Sequence, residues 1–466
     1  MSKPVDQKQL FDLELIRRYD KAGPRYTSYP TAVQFTSDFG PDDYKAWAEK
    51  SNQRAGNKPL SLYFHIPFCD TLCFYCGCNK VVTKRREKAE PYLQRLYKEM
   101  EMQSAMFDSD RMVDQLHWGG GTPTFISHDQ MRELMAQTRK HFKLHDDDTG
   151  EYSIEIDPRE VTEETFDVLR SIGFNRISLG VQDLNPVVQK AVNRIQPEEV
   201  TQRAMENVRK FGFKSLSVDL IYGLPFQTID SFEKTLARMI ELSPDRMSIF
   251  NYAHLPEMFM PQRRIREEDL PVAADKLQIL HNTIDQLTDA GYVYIGMDHF
   301  AKPDDELAIA QRDETLYRNF QGYSTHSDCD LIGMGITSIG MVGNSYSQNV
   351  KTLEEYYEII DAGQLPVFRG LELNEDDILR REVITRLICH FHLDKSKIEN
   401  EFGIEFDKYF VSSLQQLETM EKDGLVELGD KDIKVLTPGR LLIRNICMAF
   451  DFYAQQTKGQ RFSKVI

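Results

Sequence analysis

The sequence predicts an α/β protein: a partial (β/α)6, TIM-like barrel with an N-terminal extension and a small, mostly helical, winged-helix-like C-terminal domain. Three observations predict it. Between about residues 59 and 254, six short apolar runs alternate with longer amphipathic stretches, the rhythm of a parallel sheet with right-handed helical crossovers. Directly after each run stand residues able to do chemistry, and sheets of this kind gather their sites at the C-terminal strand ends. From about Gly370 the rhythm gives way to helices and one short hairpin.

The runs are Ser61–Ile66, Gln115–Trp118, Ser153–Ile156, Arg176–Val181, Ser215–Tyr222 and Met247–Tyr252, each four to eight residues long. That length suits buried strands. A closed barrel has eight such units, so six predict an open one. Between the first two runs Tyr92, Leu93, Leu96, Tyr97 and Met100 share one helical face. Val161, Phe166, Leu169 and Ile172 repeat that spacing before Gly173, a helix stop. Asp230 and Ser231 are expected to cap a helix through Leu242, with Pro244 beyond it. Residues 256–271 carry Pro256, Pro261 and Pro271 around Arg263, Arg264 and Arg266, the composition of a connection. Helices are expected again at Ala273–Ala290 and Leu353–Ile360, and the uncharged stretch Leu331–Val350 reads as a buried, Gly-rich turn region. Beyond it, helical periodicity covers Ile378–Cys389 and Phe410–Lys422. Gly424–Glu427 and Ile433–Thr437 form a pair around Gly429–Asp432, and a helix begins at Arg440. The expected division is an extension over 1–53, a core over 54–290, a connecting region over 291–370 and a C-terminal domain over 371–466.

The 466 residues hold 57 Lys+Arg against 73 Asp+Glu, a net charge of −16. A general nucleic-acid or anionic-membrane binder needs the opposite field, so no nucleic-acid partner is expected. Leu331–Val350 is too polar for a membrane span, and the N-terminus lacks the apolar run of a signal peptide. The expected compartment is the cytoplasm, where clustered cysteines are metal ligands or redox thiols rather than bridges. Four of the 7 cysteines, Cys69, Cys73, Cys76 and Cys78, fall within ten residues, while Cys329, Cys389 and Cys447 are scattered.

Thiolates ligate both iron–sulfur clusters and zinc. Spacings of three and two residues let Cys69, Cys73 and Cys76 converge on one cubane and leave a fourth iron open. A zinc knuckle would show a second separated pair, which this sequence lacks. One residue after Cys76, Cys78 is awkwardly placed to join the same cubane.

The C-x3-C-x2-C spacing after a strand, with Tyr75 before the last Cys, resembles the signature of radical S-adenosylmethionine (SAM) enzymes. The longer segment from His65 to Lys80, with the extra Cys78, is similar to one branch, the oxygen-independent coproporphyrinogen III oxidases (dehydrogenases). The resemblance runs the length of the chain through Gly23–Pro30, Leu116–Thr124, Ile156–Arg159, Gly180–Asp183, Asp219–Pro225, Phe250–Pro256 and Gly296–Phe300. Haem-handling relatives carry an aromatic where this chain has Cys78 and lack the Gly23–Pro30 segment.

The resemblance implies that Cys69, Cys73 and Cys76 hold one [4Fe–4S] cluster, and that two molecules of SAM bind. The first would use Tyr63, Gly120, Glu155 and Ile339. The second would use Tyr75, Gly121, Thr122, Gln182, Arg194, Asp219 and Ala253. Cys78 would be catalytic or near the substrate, not a ligand. The residue types suit these roles: glycines admit close backbone approach, carboxylates suit ribose hydroxyls or the sulfonium, and Arg194 suits a carboxylate. His65 and His254 read as core histidines. The implied partners are coproporphyrinogen III and a one-electron donor such as flavodoxin or ferredoxin, and the implied state is a monomer. A substrate with four carboxylates needs local cations on an acidic protein; Arg25, Arg263, Arg264, Arg266 and Lys302 are the candidates. Gly23–Pro30 is expected to lie over the barrel mouth.

Overall fold

The computed structural model describes residues 11–19, 21, 23–53 and 58–456. Parts of the expected N-terminal extension, residues 1–10, 20 and 22, lie outside them. The chain forms two compact units, one of residues 34–271 and 328–372, the other of residues 1–33, 272–327 and 373–466. The break after residue 372 lies beside the expected boundary at 370, whereas residues 272–290, expected in the core, group with the second unit. Composition marks where a chain turns, but not that a later segment returns to pair with an earlier strand.

The first unit is built on β1 (Leu60–Ile66), β2 (Met112–Gly120), β3 (Glu151–Ile156), β4 (Arg176–Gln182), β5 (Ser215–Tyr222) and β6 (Arg246–Asn251). They run parallel in the order β6-β5-β4-β3-β2-β1, as expected of a partial barrel. The runs are not uniformly apolar, and their alternation makes the site. On one face Leu62 and Phe64, Leu116 and Trp118, Ile154, Leu179, and Val218 and Leu220 are buried. On the other stand Tyr63 and His65, His117, Glu155, Ser178, Gly180 and Asp219. Side chains alternate across a strand, so one apolar face packs on helices while a polar face lines the interior.

Leu331–Val350 corrects the expected turn region. It forms β7 (Asp330–Met334), β8 (Ile339–Val342) and β9 (Ser345–Asn349), followed by β10 (Val367–Glu372). β7 joins β1 in parallel, and β8, β9 and β10 continue antiparallel. The stretch is uncharged because β7 and β9 are buried along their whole length. Glycine permits the close approach: a Cβ on Gly333 would stand 2.7 Å from the Ile339 carbonyl oxygen.

The helices follow their periodicity. In Ala89–Ser104, Tyr92, Leu93, Leu96 and Met100 are buried. Helix Glu163–Ser171 stops before Gly173, whose φ of +113° few other residues adopt. The expected caps on helix Ile229–Leu242 are corrected: Asp230 and Ser231 are already helical, and Thr228, in extended conformation, accepts from the Ser231 N–H.

The second unit holds helix Ala273–Asp289, two small hairpins, and helices Glu375–His390 and Val411–Lys422 around a three-stranded sheet of His392–Asp394, Asp432–Val435 and Val426–Leu428. The helix expected at Arg440 begins at Thr437, because Pro438 suits a first helical turn. Within this unit, Arg444 bonds the carbonyls of Gly23 and Pro24, and Tyr26 donates to Asp451. Among the described residues no helix is long and apolar enough to cross a membrane.

Candidate active site

The chain leaves β1 at Ile66 into a loop that returns on itself. Phe68–Cys69 pairs with Val81–Val82, and the Thr83 N–H donates to the Cys69 carbonyl at 2.9 Å. Phe68, fully buried, anchors the loop by stacking on Phe125. Its far side is tied down by the Phe74 N–H on the Val192 carbonyl, the Asn193 amide on the Leu72 carbonyl and the Gln262 amide on the Tyr75 carbonyl, all at 2.9 Å. Lys80 Nζ bonds the carbonyls of Cys76 and Cys78 from within the loop.

The four loop cysteines open onto one cavity of about 250 Å³. Donors surround the sulfurs. Thr122 Oγ1 is 3.6 Å from Cys69 Sγ, and the Arg159 and Arg194 guanidinium nitrogens lie 3.9 and 3.7 Å from Cys73 Sγ. A hydrogen bond from Cys78, then the charge of Lys80, hold the Cys76 thiol down at about 6 against burial. Burial pushes Cys69 up to about 11.

Opposite the thiols stand the strand ends. Gly120 adopts φ +114°, a Cβ there would stand 2.8 Å from the His65 ring, and its N–H donates to Glu155 Oε2 at 3.2 Å. A Cβ on Gly121 would come within 2.7 Å of the Pro67 and Phe68 carbonyl oxygens. The Glu155 side chain is 47 % accessible, through the cavity, and His117 Nε2 lies 3.4 Å away. Burial alone would raise Glu155, but the His117 contact and the Gly120 N–H outweigh it and hold the carboxyl below its usual range. Asp219 goes the other way: burial first, then the nearby Glu155 charge, lift it to about 6. Gln182 closes β4 in the left-handed region, at φ +69°, beside a bulge. Such strain in a non-glycine residue collects at functional sites.

Of the expected site residues, Cys69, Cys73, Cys76, Cys78, Tyr75, Gly120, Gly121, Thr122, Glu155, Gln182, Arg194 and Asp219 line this cavity. Tyr63, Ala253 and Ile339 are not in its wall. Tyr63 stacks on His117 and touches His65 Nδ1 at 3.2 Å, while Ile339 opens β8 beside Gly333, the register partner of Tyr63. Two of these residues already have partners within the protein. The Gly120 N–H is taken by Glu155. Arg194, expected to meet a ligand carboxylate, already bonds Asp157 at 2.8 Å and the Gly180 carbonyl at 2.5 Å, which leaves only its buried Nε unpartnered. His65 is a partnered core histidine, with Nε2 3.0 Å from the Asn79 carbonyl oxygen.

Asp157, Arg159 and Lys80 have no assigned role in the sequence reading, yet Arg159 and Lys80 are the cations beside Cys73 and Cys76, and Asp157 holds Arg159. The motif Ile156–Arg159 carried the signal, since Asp157 stands directly after the third run. Among the proposed substrate cations, Arg266 pairs with Asp269 at 2.7 Å, Arg25 pairs with Asp298 at 3.0 Å, and Arg264 lies over the Phe74 ring.

Three thiols on the loop after the first strand of a partial barrel, facing polar strand ends, define a radical SAM enzyme. Residues 63–239 match the family model described as the radical SAM superfamily, and residues 373–442 match that of the HemN C-terminal domain. The oxygen-independent coproporphyrinogen III oxidase of Pseudomonas aeruginosa is 55 % identical over 98 % of this chain and 99 % of its own. The Escherichia coli protein of that name is 50 % identical over 98 % of both. A solved structure titled as coproporphyrinogen III oxidase (HemN) from Escherichia coli, a radical SAM enzyme, superposes with a TM-score of 0.91, covering 97 % of this chain and 100 % of that one. The chain belongs to the family of oxygen-independent coproporphyrinogen III oxidases.

The residues present fit a [4Fe–4S] cluster. Cys69, Cys73 and Cys76 supply thiolates from one wrap of backbone, and the donors on Cys69 and Cys73 stabilise negative sulfur.

Proposed function

We propose that this enzyme catalyses the oxygen-independent oxidative decarboxylation of two propionate side chains of coproporphyrinogen III to vinyl groups, giving protoporphyrinogen IX for haem biosynthesis. Full-length identity to oxidases of that name, with all four loop cysteines opening onto one cavity, carries the reading. When bound, the cluster and SAM supply, with one electron, the 5′-deoxyadenosyl radical that takes a hydrogen atom from a propionate.

In this reading Cys69, Cys73 and Cys76 hold the cluster. Tyr63, Gly120, Glu155 and Ile339 serve a first SAM molecule. Tyr75, Gly121, Thr122, Gln182, Arg194, Asp219 and Ala253 serve a second. The two carboxylates, one held below its usual range and one lifted to about 6, support two distinct roles. Asp157 holds Arg159 and Arg194 in place, and these two cations stabilise negative charge near Cys73. The exposed Cys78, with its sulfur beside Cys76, stands near the substrate as a non-ligand. The enzyme works in the cytoplasm as a monomer and takes electrons from a flavodoxin- or ferredoxin-like donor.

The test is anaerobic reconstitution with iron, sulfide, dithionite and SAM, followed by assay of coproporphyrinogen III. Formation of 5′-deoxyadenosine with protoporphyrinogen IX supports the reading. Tight haem binding without a vinyl product, or colourless protein holding zinc, overturns it.

A further inference from the structure

The chain returning from the cysteine loop concentrates positive charge. Residues 80–90 hold five lysines and arginines against two glutamates, in a protein of net charge −16. Two of the five are committed to the loop. Lys80 Nζ bonds the carbonyls of Cys76 and Cys78, and Arg86 bonds the Phe125 carbonyl, Asp70 and Glu160. The other three, Lys84, Arg85 and Lys88, are exposed, and their side chains make no hydrogen bond or ion pair among the described residues. Beside them Val82 is 43 % exposed.

This patch is continuous with the backbone of the loop. The strand Val81–Val82 runs parallel to Phe68–Cys69, with Val82 as the register partner of Cys69, and the Thr83 N–H holds the Cys69 carbonyl. Arg86, with its guanidinium 4.3 Å from the centre of the Phe125 ring, pins the end of that strand, so the three cations project from a fixed surface. The other covering of the loop, the segment 256–269, offers no such surface. Its Arg263 bonds the Pro256 carbonyl, Arg264 lies over Phe74 and Arg266 pairs with Asp269. Glu257, Glu267 and Glu268 stand among them.

The chemistry proposed above draws an electron from outside the protein, and electron transfer weakens steeply with distance. The patch lies on the backbone of a residue assigned to the cluster, which makes it a short way in. We propose that Lys84, Arg85 and Lys88, around Val82, form the docking surface for an acidic one-electron carrier protein. This rests on the radical reading of the site. One electron leaves the carrier, which is oxidised, and enters the cluster, which is reduced; no atom or proton is transferred. Opposite charge steers such an encounter, and a single exposed apolar side chain ringed by cations suits the small, transient interfaces of electron carriers.

The experiment uses the anaerobic full-length holoenzyme. Bleaching of the cluster's visible absorbance is followed by stopped flow with three reductants: reduced flavodoxin, reduced ferredoxin, and dithionite, a small molecule that needs no docking surface. Wild type is compared with the triple variant Lys84→Gln/Arg85→Gln/Lys88→Gln. A control, Lys140→Glu/Lys143→Glu, changes net charge by more but at the opposite end of the strands, where Lys143 pairs with Met112 at the start of β2. At low ionic strength the triple variant should be reduced by a protein carrier roughly 10- to 100-fold more slowly than wild type. The difference should shrink as salt is raised, and the dithionite rate and the absorbance of the oxidised cluster should be unchanged. An unchanged rate with the carrier that reduces wild type overturns the proposal. So does an equal loss with dithionite, which would mean a damaged loop, an equal loss in the control, which would mean net charge alone, or the failure of both carriers to reduce wild type. Failure of dithionite-reduced wild type to convert coproporphyrinogen III would overturn the functional reading instead, which separates the two.

Discussion

Replacing Glu99 by Gln should change the pH dependence of stability in the barrel unit. Glu99 sits on the inner face of helix Ala89–Ser104, fully buried. Its carboxylate accepts from the Gly335 N–H at 2.8 Å, the Tyr356 hydroxyl at 2.6 Å and the Asn349 amide at 2.7 Å. These bonds fix the turn between β7 and β8, the turn that leads to Ile339. Burial raises Glu99 from 4.5 to about 7, and these three donors, with Gln103, offset only part of that. The folded state therefore keeps a proton that the unfolded chain releases above about pH 4.5. The stabilisation is complete below that pH and is lost as pH rises through about 7. A displacement of this size corresponds to about 3 kcal/mol.

Glutamine is neutral throughout, so Glu99→Gln removes that slope. Its amide must also set N–H groups against a donor, either Asn349 or Gly335, at a cost of about 1–3 kcal/mol at every pH. The variant should thus be less stable than wild type at pH 5, and the gap should close by about 3 kcal/mol by pH 8.5. The assay is denaturant unfolding followed by tryptophan fluorescence. The chain's 2 tryptophans, Trp47 and Trp118, both lie in the barrel unit and report on it selectively. A gap that stays constant across that pH range would refute the reasoning.

Three further outcomes are expected. Asp157→Asn takes the carboxylate from Arg159 and the buried Arg194; an uncompensated buried charge should lower stability by about 3–5 kcal/mol, seen as an earlier unfolding midpoint. Since Asp219 titrates near 6, the SAM concentration for half-saturation should rise as pH falls from 7.5 to 5.5 and the carboxylate gains its proton, and Asp219→Asn should abolish that slope. Cys69→Ala should lose both the visible absorbance of the cluster and 5′-deoxyadenosine formation, whereas Cys78→Ser should keep the absorbance.

Much of this was written locally. The strand boundaries of β5 are those of its apolar run, and β1 and β4 extend theirs by one residue, because strand length and strand-end chemistry are short-range properties. The three-thiol loop was legible from spacing alone, since a cubane constrains how far apart along the chain its ligands can lie. Other features depend on contacts between distant segments. Leu331–Val350 carries no charge whether it forms turns or strands; only pairing with β1 makes it sheet. Asp230 is as good a capping residue as Thr228, and backbone conformation decided between them.

The sequence by itself determined the class of fold, the three-thiol loop and the family, because periodicity and motif spacing are carried by neighbours along one stretch of chain. The tertiary structure decided which charges meet. Arg194 bonds Asp157 in the wall of the cavity, and Glu155 and Asp219 are displaced in opposite directions within it. Electrostatic energies depend on distance and on exclusion of water, and both are set by residues far apart in sequence that folding brings together.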